Sequence, residues 1–182
     1  YNIIMNNGWI EIICGPMFCG KTEELIRRLK RALIAKKNVS IFKPLLDNRY
    51  STDHIVSHNN NAIKSKSIKD INEILNYCQD SDVIGIDEAQ FFNDEIISIS
   101  NQLANKGKRV IIAGLDKDYL EEPFGPISNL LSKAEYITKL YAICVQCGKK
   151  AFFSKRISGE NEQIIVGEKD KYEARCRKCF QL

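Results

Sequence analysis

An octapeptide bounded by glycines, Gly15-Pro-Met-Phe-Cys-Gly-Lys-Thr22, lies between an apolar run, Trp9 to Cys14, and an amphipathic segment that begins at Glu23. It satisfies the pattern G-x-x-x-x-G-K-[ST] at every fixed position. A buried strand, a glycine-closed loop and a helix in that order turn backbone N–H groups inward, where they can surround phosphate oxygens. Lys21 then reaches the β- and γ-phosphates as a point charge, and the Thr22 hydroxyl is placed to hold Mg²⁺. A chance glycine turn ahead of a helix is the competing explanation, and the complete pattern with both flanking elements argues against it.

A chain of 182 residues with 44% hydrophobic content has room for one ordinary domain with a real core and a small appendage. The net charge of +4, from 27 basic and 23 acidic residues, tolerates polyanionic ligands. It does not supply the concentrated basic patch of a dedicated nucleic-acid binder, so no nucleic-acid partner is expected. No apolar run approaches the roughly 20 residues of a bilayer-spanning helix, and no membrane association is expected. Four of the seven cysteines form two tight pairs, Cys144/Cys147 and Cys176/Cys179. Without an export signal such pairs point to metal in a reducing, cytoplasmic setting. Cys14 and Cys78 read as small buried apolar residues.

Hydrophobic periodicity predicts strands at Trp9 to Cys14, Val39 to Phe42, Val83 to Ile86, Arg109 to Ala113 and Tyr136 to Ile143. It predicts helices over Glu23 to Lys36, Asp70 to Cys78, Asp94 to Asn105 and Pro126 to Lys133. The polar, Asn-rich passage from Leu46 to Ala62 reads as a mobile loop with a short strand at Ile55-Val56, and His54 and His58 read as surface residues. Alternating short strands and helices imply a mainly parallel sheet covered on both faces. Helical periodicity stops at Cys144, which divides the chain into an α/β nucleotide-binding core, 1–143, and a small metal-stapled unit, 144–182.

The run Val83-Ile-Gly-Ile-Asp-Glu-Ala-Gln90 carries the second strong signal. A buried strand ending in Asp-Glu puts two carboxylates at the carboxyl edge of the sheet, beside the phosphate loop. Asp87 there would order Mg²⁺, leaving Glu88 as a general base for an attacking hydroxyl or water; an acidic helix cap is the plain alternative. The four paired cysteines suit tetrahedral, structural Zn²⁺; an iron–sulfur cluster and two disulfides are the alternatives, which the spacing disfavours. The 28 residues between the pairs form a loop tied at its base, long enough to cover a ligand. Phe91 and Phe92 follow the carboxylates directly, so one can face a flat base while the other packs in the core. Phe124, between Pro123 and Gly125, sits in a loop where an aromatic is more often functional.

The phosphate loop, Asp47-Asn-Arg49-Tyr50, Ile86-Asp-Glu-Ala-Gln-Phe-Phe92, Gly114-Leu-Asp116, Pro123-Phe-Gly125 and the cysteine pairs enclosing Val166-Gly167 and Tyr172 occur in that order. Together they resemble the zinc-containing thymidine kinases of bacteria, poxviruses and the animal cytosol, over nearly the whole chain. The resemblance implies a RecA-like P-loop core with a zinc-bound lasso. It implies phosphoryl transfer from ATP to the 5′-hydroxyl of thymidine, and of deoxyuridine, in nucleotide salvage. It implies ATP binding by Gly15, Pro16, Met17, Phe18, Cys19, Gly20, Lys21, Thr22, Asp87, Glu88, Ala89 and Gln90. Glu88, Lys21 and Arg49 would be catalytic, Thr22, Asp47 and Asp87 would serve Mg²⁺, and Cys144, Cys147, Cys176 and Cys179 would hold zinc. Met17, Phe91, Leu115, Tyr119, Phe124, Ile164, Val166, Gly167 and Tyr172 would form the nucleoside pocket, with Tyr119 where the family more often has Phe. A homotetramer and feedback inhibition by dTTP are further implications. Cys19 stands where the family commonly has Ser; the helix N-terminus and Lys21 are expected to lower its pKa and make it reactive.

Two other classes share single features with this sequence. Asp-Glu-Ala-Gln also resembles a motif of RNA helicases, but those need two tandem α/β domains; a free-standing ATPase would turn over ATP without a nucleoside. A nucleic-acid-reading zinc ribbon is disfavoured by Glu160, Glu162, Glu168, Asp170 and Glu173 among the basic residues of the cysteine-bounded stretch.

Overall fold

The computed structural model describes residues 8–45, 54–56, 62–157 and 171–182. In chain order the elements are β1 (Trp9–Cys14), α1 (Lys21–Ile34), β2 (Val39–Pro44), β3 (His54–Val56), β4 (Ala62–Lys64) and β5 (Lys66–Ile68). There follow a 3₁₀ turn Ile71–Glu73, α2 (Ile74–Tyr77), β6 (Val83–Ile86), a 3₁₀ turn Ala89–Phe91, α3 (Glu95–Asn105), β7 (Arg109–Gly114), α4 (Ile127–Leu131) and β8 (Tyr136–Lys139). The remainder is β9 (Ala142–Ile143), β10 (Lys150–Ala151), β11 (Phe153–Arg156), β12 (Tyr172–Arg175) and α5 (Arg177–Phe180). No helix among the described residues is long and apolar enough to cross a membrane.

Six strands form the main sheet in the order β5-β2-β6-β7-β1-β8, and every pairing in it is parallel. The two faces follow from residue parity along each strand. On one face Ile10, Ile12, Ile84, Ile86, Val110 and Ile112 pack against Ile96, Ile99 and Leu103 of α3 and Ile127 and Leu130 of α4. On the other, Ile13, Ile41, Val83, Ile111 and Ala113 pack against Leu25, Leu29 and Ala32 of α1. Continuous burial on both faces is why these strands read as apolar runs and not as alternating patterns.

Three expectations shift in detail. Helix α1 begins at Lys21, two residues early, because the left-handed turn at Gly20 (φ 82°) starts the helix directly. The segment predicted helical from Asp70 opens as a 3₁₀ turn in which Asp70 and Glu73 form a reciprocal capping box. The strand expected over Tyr136 to Ile143 is two strands. The Leu140 N–H donates to the Cys14 carbonyl at 2.8 Å, and Ala142–Ile143 then leaves the parallel sheet to pair antiparallel with Lys150–Ala151. The short strand foreseen at Ile55-Val56 is present as β3, antiparallel to β4; the rest of the Leu46 to Ala62 passage, His58 included, lies outside the described residues.

One buried charge holds the α1 face together. Glu11, 6% exposed in the middle of β1, accepts from Arg28 Nη1 at 2.7 Å, Arg109 Nε at 2.6 Å and Trp9 Nε1 at 2.7 Å. Arg28 also donates through Nη2 to Thr138 Oγ1 at 2.8 Å, so one cluster spans α1, β1, β7 and β8. Burial alone would raise the Glu11 pKa; the guanidinium and indole donors outweigh it and hold the carboxyl below the ordinary range. Glu11→Gln removes the charge while keeping the shape. It is expected to cost about 2–3 kcal/mol in urea unfolding, the worth of charge-assisted hydrogen bonds left incomplete. An unchanged unfolding midpoint would show that the cluster contributes nothing net.

Candidate functional site

The loop between β1 and α1 takes its shape from positive backbone angles at Gly15 (φ 146°), Phe18 (φ 65°) and Gly20 (φ 82°). At Gly15 a side chain is excluded as well, since a Cβ would come within 2.5 Å of the Leu140 carbonyl oxygen. The loop ends at the N-terminus of α1, whose first turn carries Glu23 and Glu24. Lys21 folds back over it, Nζ donating to the Pro16 carbonyl at 2.7 Å. A glycine-shaped loop at a helix N-terminus with an ammonium folded over it has the make-up of a phosphate-binding loop.

Strand β6 ends beside this loop. Thr22 Oγ1 donates to Asp87 Oδ2 at 3.1 Å, and the Glu88 N–H donates to Asp87 Oδ1 at 3.0 Å. Asp87 is 4% exposed, and burial, reinforced by the neighbouring Glu88 charge, pushes its pKa up to about 7, against the pull of the Glu88 N–H, Thr22 and Lys21. A hydroxyl and a carboxylate in contact form a hard-oxygen pair suited to Mg²⁺, whose charge would relieve this desolvated acid. Glu88 itself adopts left-handed backbone (φ 51°), a costly conformation for a residue with a Cβ, and it is only half-buried. Its carboxylate accepts from Gln90 Nε2, and Gln90 Oε1 accepts from the Leu115 N–H at 3.1 Å.

Behind the carboxylates stand the aromatic residues. Phe91 and Phe124 meet edge to face with centroids 5.5 Å apart, while Phe92 is buried in the core under the sheet. Of the Phe91-Phe92 pair, Phe92 is thus the core member, while Phe91 is half-buried against Phe124. Tyr119 is capped by the Arg156 guanidinium, whose carbon lies 3.6 Å from the ring centroid, and Arg156 Nη2 donates to Tyr172 Oη at 2.8 Å. Arg156 escaped the sequence reading because a lone Arg on a polar strand carries no local signal. Met17, Leu115 and Tyr119 are half-buried, and the Met17 N–H donates to Ser154 Oγ at 2.9 Å, joining the phosphate loop to β11.

The four paired cysteines converge at the base of the β9–β12 unit. Their Sγ atoms all lie within 4.8 Å of one another, and Cys147 Sγ is 3.6 Å from Cys176 Sγ. Tetrahedral zinc with sulfur at about 2.3 Å needs S···S separations near ~3.8 Å. Disulfides need about 2.05 Å, and all four cysteines are free thiols. Four thiols with nothing else in the set could hold a closed, structural zinc ion. Phe18 and Cys19 of the phosphate loop pack against the same cluster.

The profile of the family described as thymidine kinase matches residues 8–180. The chain belongs to the thymidine kinase family. A thymidine kinase of Rhodothermus sp. (strain ITI 518) is 52% identical over 174 residues, 96% of this chain and 82% of that protein. One of Bacteroides fragilis (strain YCH46) is 52% identical over 174 residues, 96% of this chain and 87% of its own. One of Bacteroides thetaiotaomicron is 51% identical over 173 residues, covering 95% and 87%. The cysteine cluster fits the zinc-containing type within this thymidine kinase family.

The structure brings residues 15–22, Asp87, Glu88, Phe91, Leu115, Phe124, Tyr119 and Tyr172 to the carboxyl edge of the sheet and the unit beside it. Asp47, Arg49, Ile164, Val166 and Gly167 lie outside the described residues. The side chain of Gln90, expected at the ATP, is 3% exposed and engaged with Glu88 and Leu115. The expected activation of Cys19 is reversed: burial pushes the thiol up, and Lys21, with Nζ 3.9 Å from Sγ, offsets only part of that. A thiol inside a packed loop is desolvated, and that outweighs one cation.

Asp87 sets a pH dependence whose sign follows from its raised pKa. Below about pH 4 the acid is neutral folded or unfolded; between there and pH 7 the unfolded chain releases the proton more readily, so native stability falls. Asp87→Asn is therefore expected to melt higher than the wild type in metal- and nucleotide-free buffer at pH 8. The difference should shrink toward pH 4, as read by differential scanning fluorimetry; an Asn variant that melts lower at pH 8 would contradict this. Elemental analysis of reduced protein should find one zinc per chain, and its removal by a chelator should lower the melting temperature. A metal-free protein of unchanged stability would show that the four thiols suffice alone.

Proposed function

We propose that this chain transfers the γ-phosphoryl group of ATP to the 5′-hydroxyl of thymidine, yielding thymidine monophosphate and ADP for pyrimidine deoxynucleotide salvage. The observation that carries the reading is the placement of a free-edged carboxylate, Glu88, one residue from the buried Asp87–Thr22 pair, beside a phosphate cradle and an aromatic wall, in a member of this family.

In the proposed reaction the nucleoside lies against Phe91, Phe124, Leu115 and Met17, with Tyr119 and Tyr172 at its other side. Segment residues Ile164, Val166 and Gly167 are proposed to hold the pyrimidine ring. Glu88 accepts the 5′-hydroxyl proton as the oxygen attacks the γ-phosphorus. The bond from that phosphorus to the β–γ bridging oxygen breaks in line, and ADP departs with the electron pair. Lys21 exchanges its Pro16 carbonyl for phosphate oxygens, and Arg49 is proposed to stabilise charge on the transferring group. Thr22 and Asp87, with Asp47, would hold Mg²⁺, which when bound neutralises charge on the β- and γ-phosphates. Deoxyuridine acceptance, a homotetrameric assembly, feedback inhibition by dTTP and a cytoplasmic location belong to the same reading through the family resemblance.

Phosphoryl transfer from γ-labelled ATP to each common deoxynucleoside tests it. Thymidine should be the preferred acceptor, and Glu88→Gln should lower kcat by roughly 10²–10⁴, the range for loss of a general base. ATP hydrolysis without a labelled nucleotide product would overturn the proposal.

A further inference from the structure

Three of the sequence motifs at the site converge on one residue that carries no charge. We infer that Gln90 is the positioning residue of the catalytic base, holding the Glu88 carboxylate and the nucleoside wall in one register; this rests on the reading of Glu88 as base. Gln90 donates through Nε2 to Glu88 and accepts through Oε1 from the Leu115 N–H. A primary amide offers a donor on one arm and an acceptor on the other, so these two partners fix its orientation. Neither Met, which lacks both, nor Glu, which is acceptor-only when ionised, can reproduce the pair.

Gln90 is 3% exposed, and two glycines make room for it, Gly125 for its backbone and Gly114 for its amide. A Cβ on Gly125, the last residue of Pro-Phe-Gly, would approach the Gln90 carbonyl oxygen to 2.2 Å. A Cβ on Gly114, the first of Gly-Leu-Asp, would lie 3.0 Å from Gln90 Oε1 and 2.6 Å from Ile127 Cδ1. Both glycines thus clear space for the same residue, and Phe124 next to Gly125 reaches forward onto Phe91. The need for such a brace is local. Glu88 sits on left-handed backbone at the end of β6, followed by a single 3₁₀ turn, so little in its own segment orients its side chain. The brace joins two requirements of the transfer: a base aimed at the hydroxyl, and the Leu115 wall against which the nucleoside bearing that hydroxyl rests. A shift of about 1 Å at a reacting group is enough to cost ~10²-fold in rate.

Steady-state kinetics of Gln90→Met, Glu88→Gln and the double variant, with ATP, Mg²⁺ and thymidine, test the inference. Gln90→Met is expected to lower kcat by about 10–100-fold while KM for ATP stays within about twofold, because the phosphate loop is untouched. The double variant should lose clearly less than the product of the two single losses, since the part of the Gln90 effect that runs through the base has nothing left to act on. Should Gln90→Met fail to fold by thermal melt, Gln90→Glu, which keeps the acceptor for Leu115 and loses the donor, must show the same kcat loss. A wild-type kcat in the folded variant, or losses that multiply in the double variant, would overturn the inference. A Glu88→Gln enzyme of wild-type kcat would overturn the base reading and the positioning role with it. An inactive Glu88→Gln beside a fully active Gln90 variant would remove the positioning role alone.

Discussion

Parallel register is the constraint from which the site follows. Cys14 pairs with Gly114 and Ile86 with Ile112, so the carboxyl ends of β1, β6 and β7 finish at one edge of the sheet. Each strand then hands its chemistry to the same small volume: the phosphate loop from β1, Asp87 and Glu88 from β6, Gly114 and Leu115 from β7. Helix α1 covers one face and α3 and α4 the other, so the edge is the open place where a ligand can meet several strands together. A one-residue slip in any pairing would exchange the two faces and bury the polar ends.

That edge is costly to fold. Asp87 is a buried acid beside a like-charged neighbour, Glu88 and Phe18 hold left-handed backbone, and Lys21 is turned onto its own loop. The buried acid and the two left-handed residues oppose folding, as strain and desolvation at a functional edge commonly do. Stability is supplied at a distance. The Glu11 cluster ties four elements at the middle and amino-terminal side of the sheet, and two apolar layers flank it. Function and stability are thus divided along the strand direction.

The cysteine unit is not an independent appendage in its contacts. Ser154 accepts the Met17 N–H, and Phe18 and Cys19 pack on the residues surrounding the four thiols. Arg156, on the same strand as Ser154, caps Tyr119 of the core and reaches Tyr172 of β12. The unit therefore touches both halves of the site, phosphate loop and aromatic wall. Its shape depends on four side chains whose thiols are brought together by antiparallel pairs of only two and four residues. Such short hairpins are marginal alone, which is where a bound zinc ion would contribute most.

What was legible in the sequence was whatever is encoded by neighbours along the chain. The phosphate loop, the buried strands, the Asp87-Glu88 edge, the split of Phe91 from Phe92 and the cysteine pairs all declare themselves through local spacing and periodicity. Contacts between distant segments did not: the Met17–Ser154 bond spans 137 positions and the Leu115–Gln90 bond 25. The Tyr136 to Ile143 run looked like one strand because apolar alternation does not say which partner a strand will find. Cys19 looked activated because sequence displays its cationic neighbour and hides its burial. Residue spacing by itself determined the fold class, the glycine-bounded loop between β1 and α1 and the grouping of the cysteines into two pairs, since each is a property of short segments. Only the tertiary structure decided that Gln90 faces Glu88, that Arg156 bridges two tyrosines and that Cys19 is masked. Those depend on which segments the parallel sheet and the cysteine hairpins bring within hydrogen-bonding or packing distance.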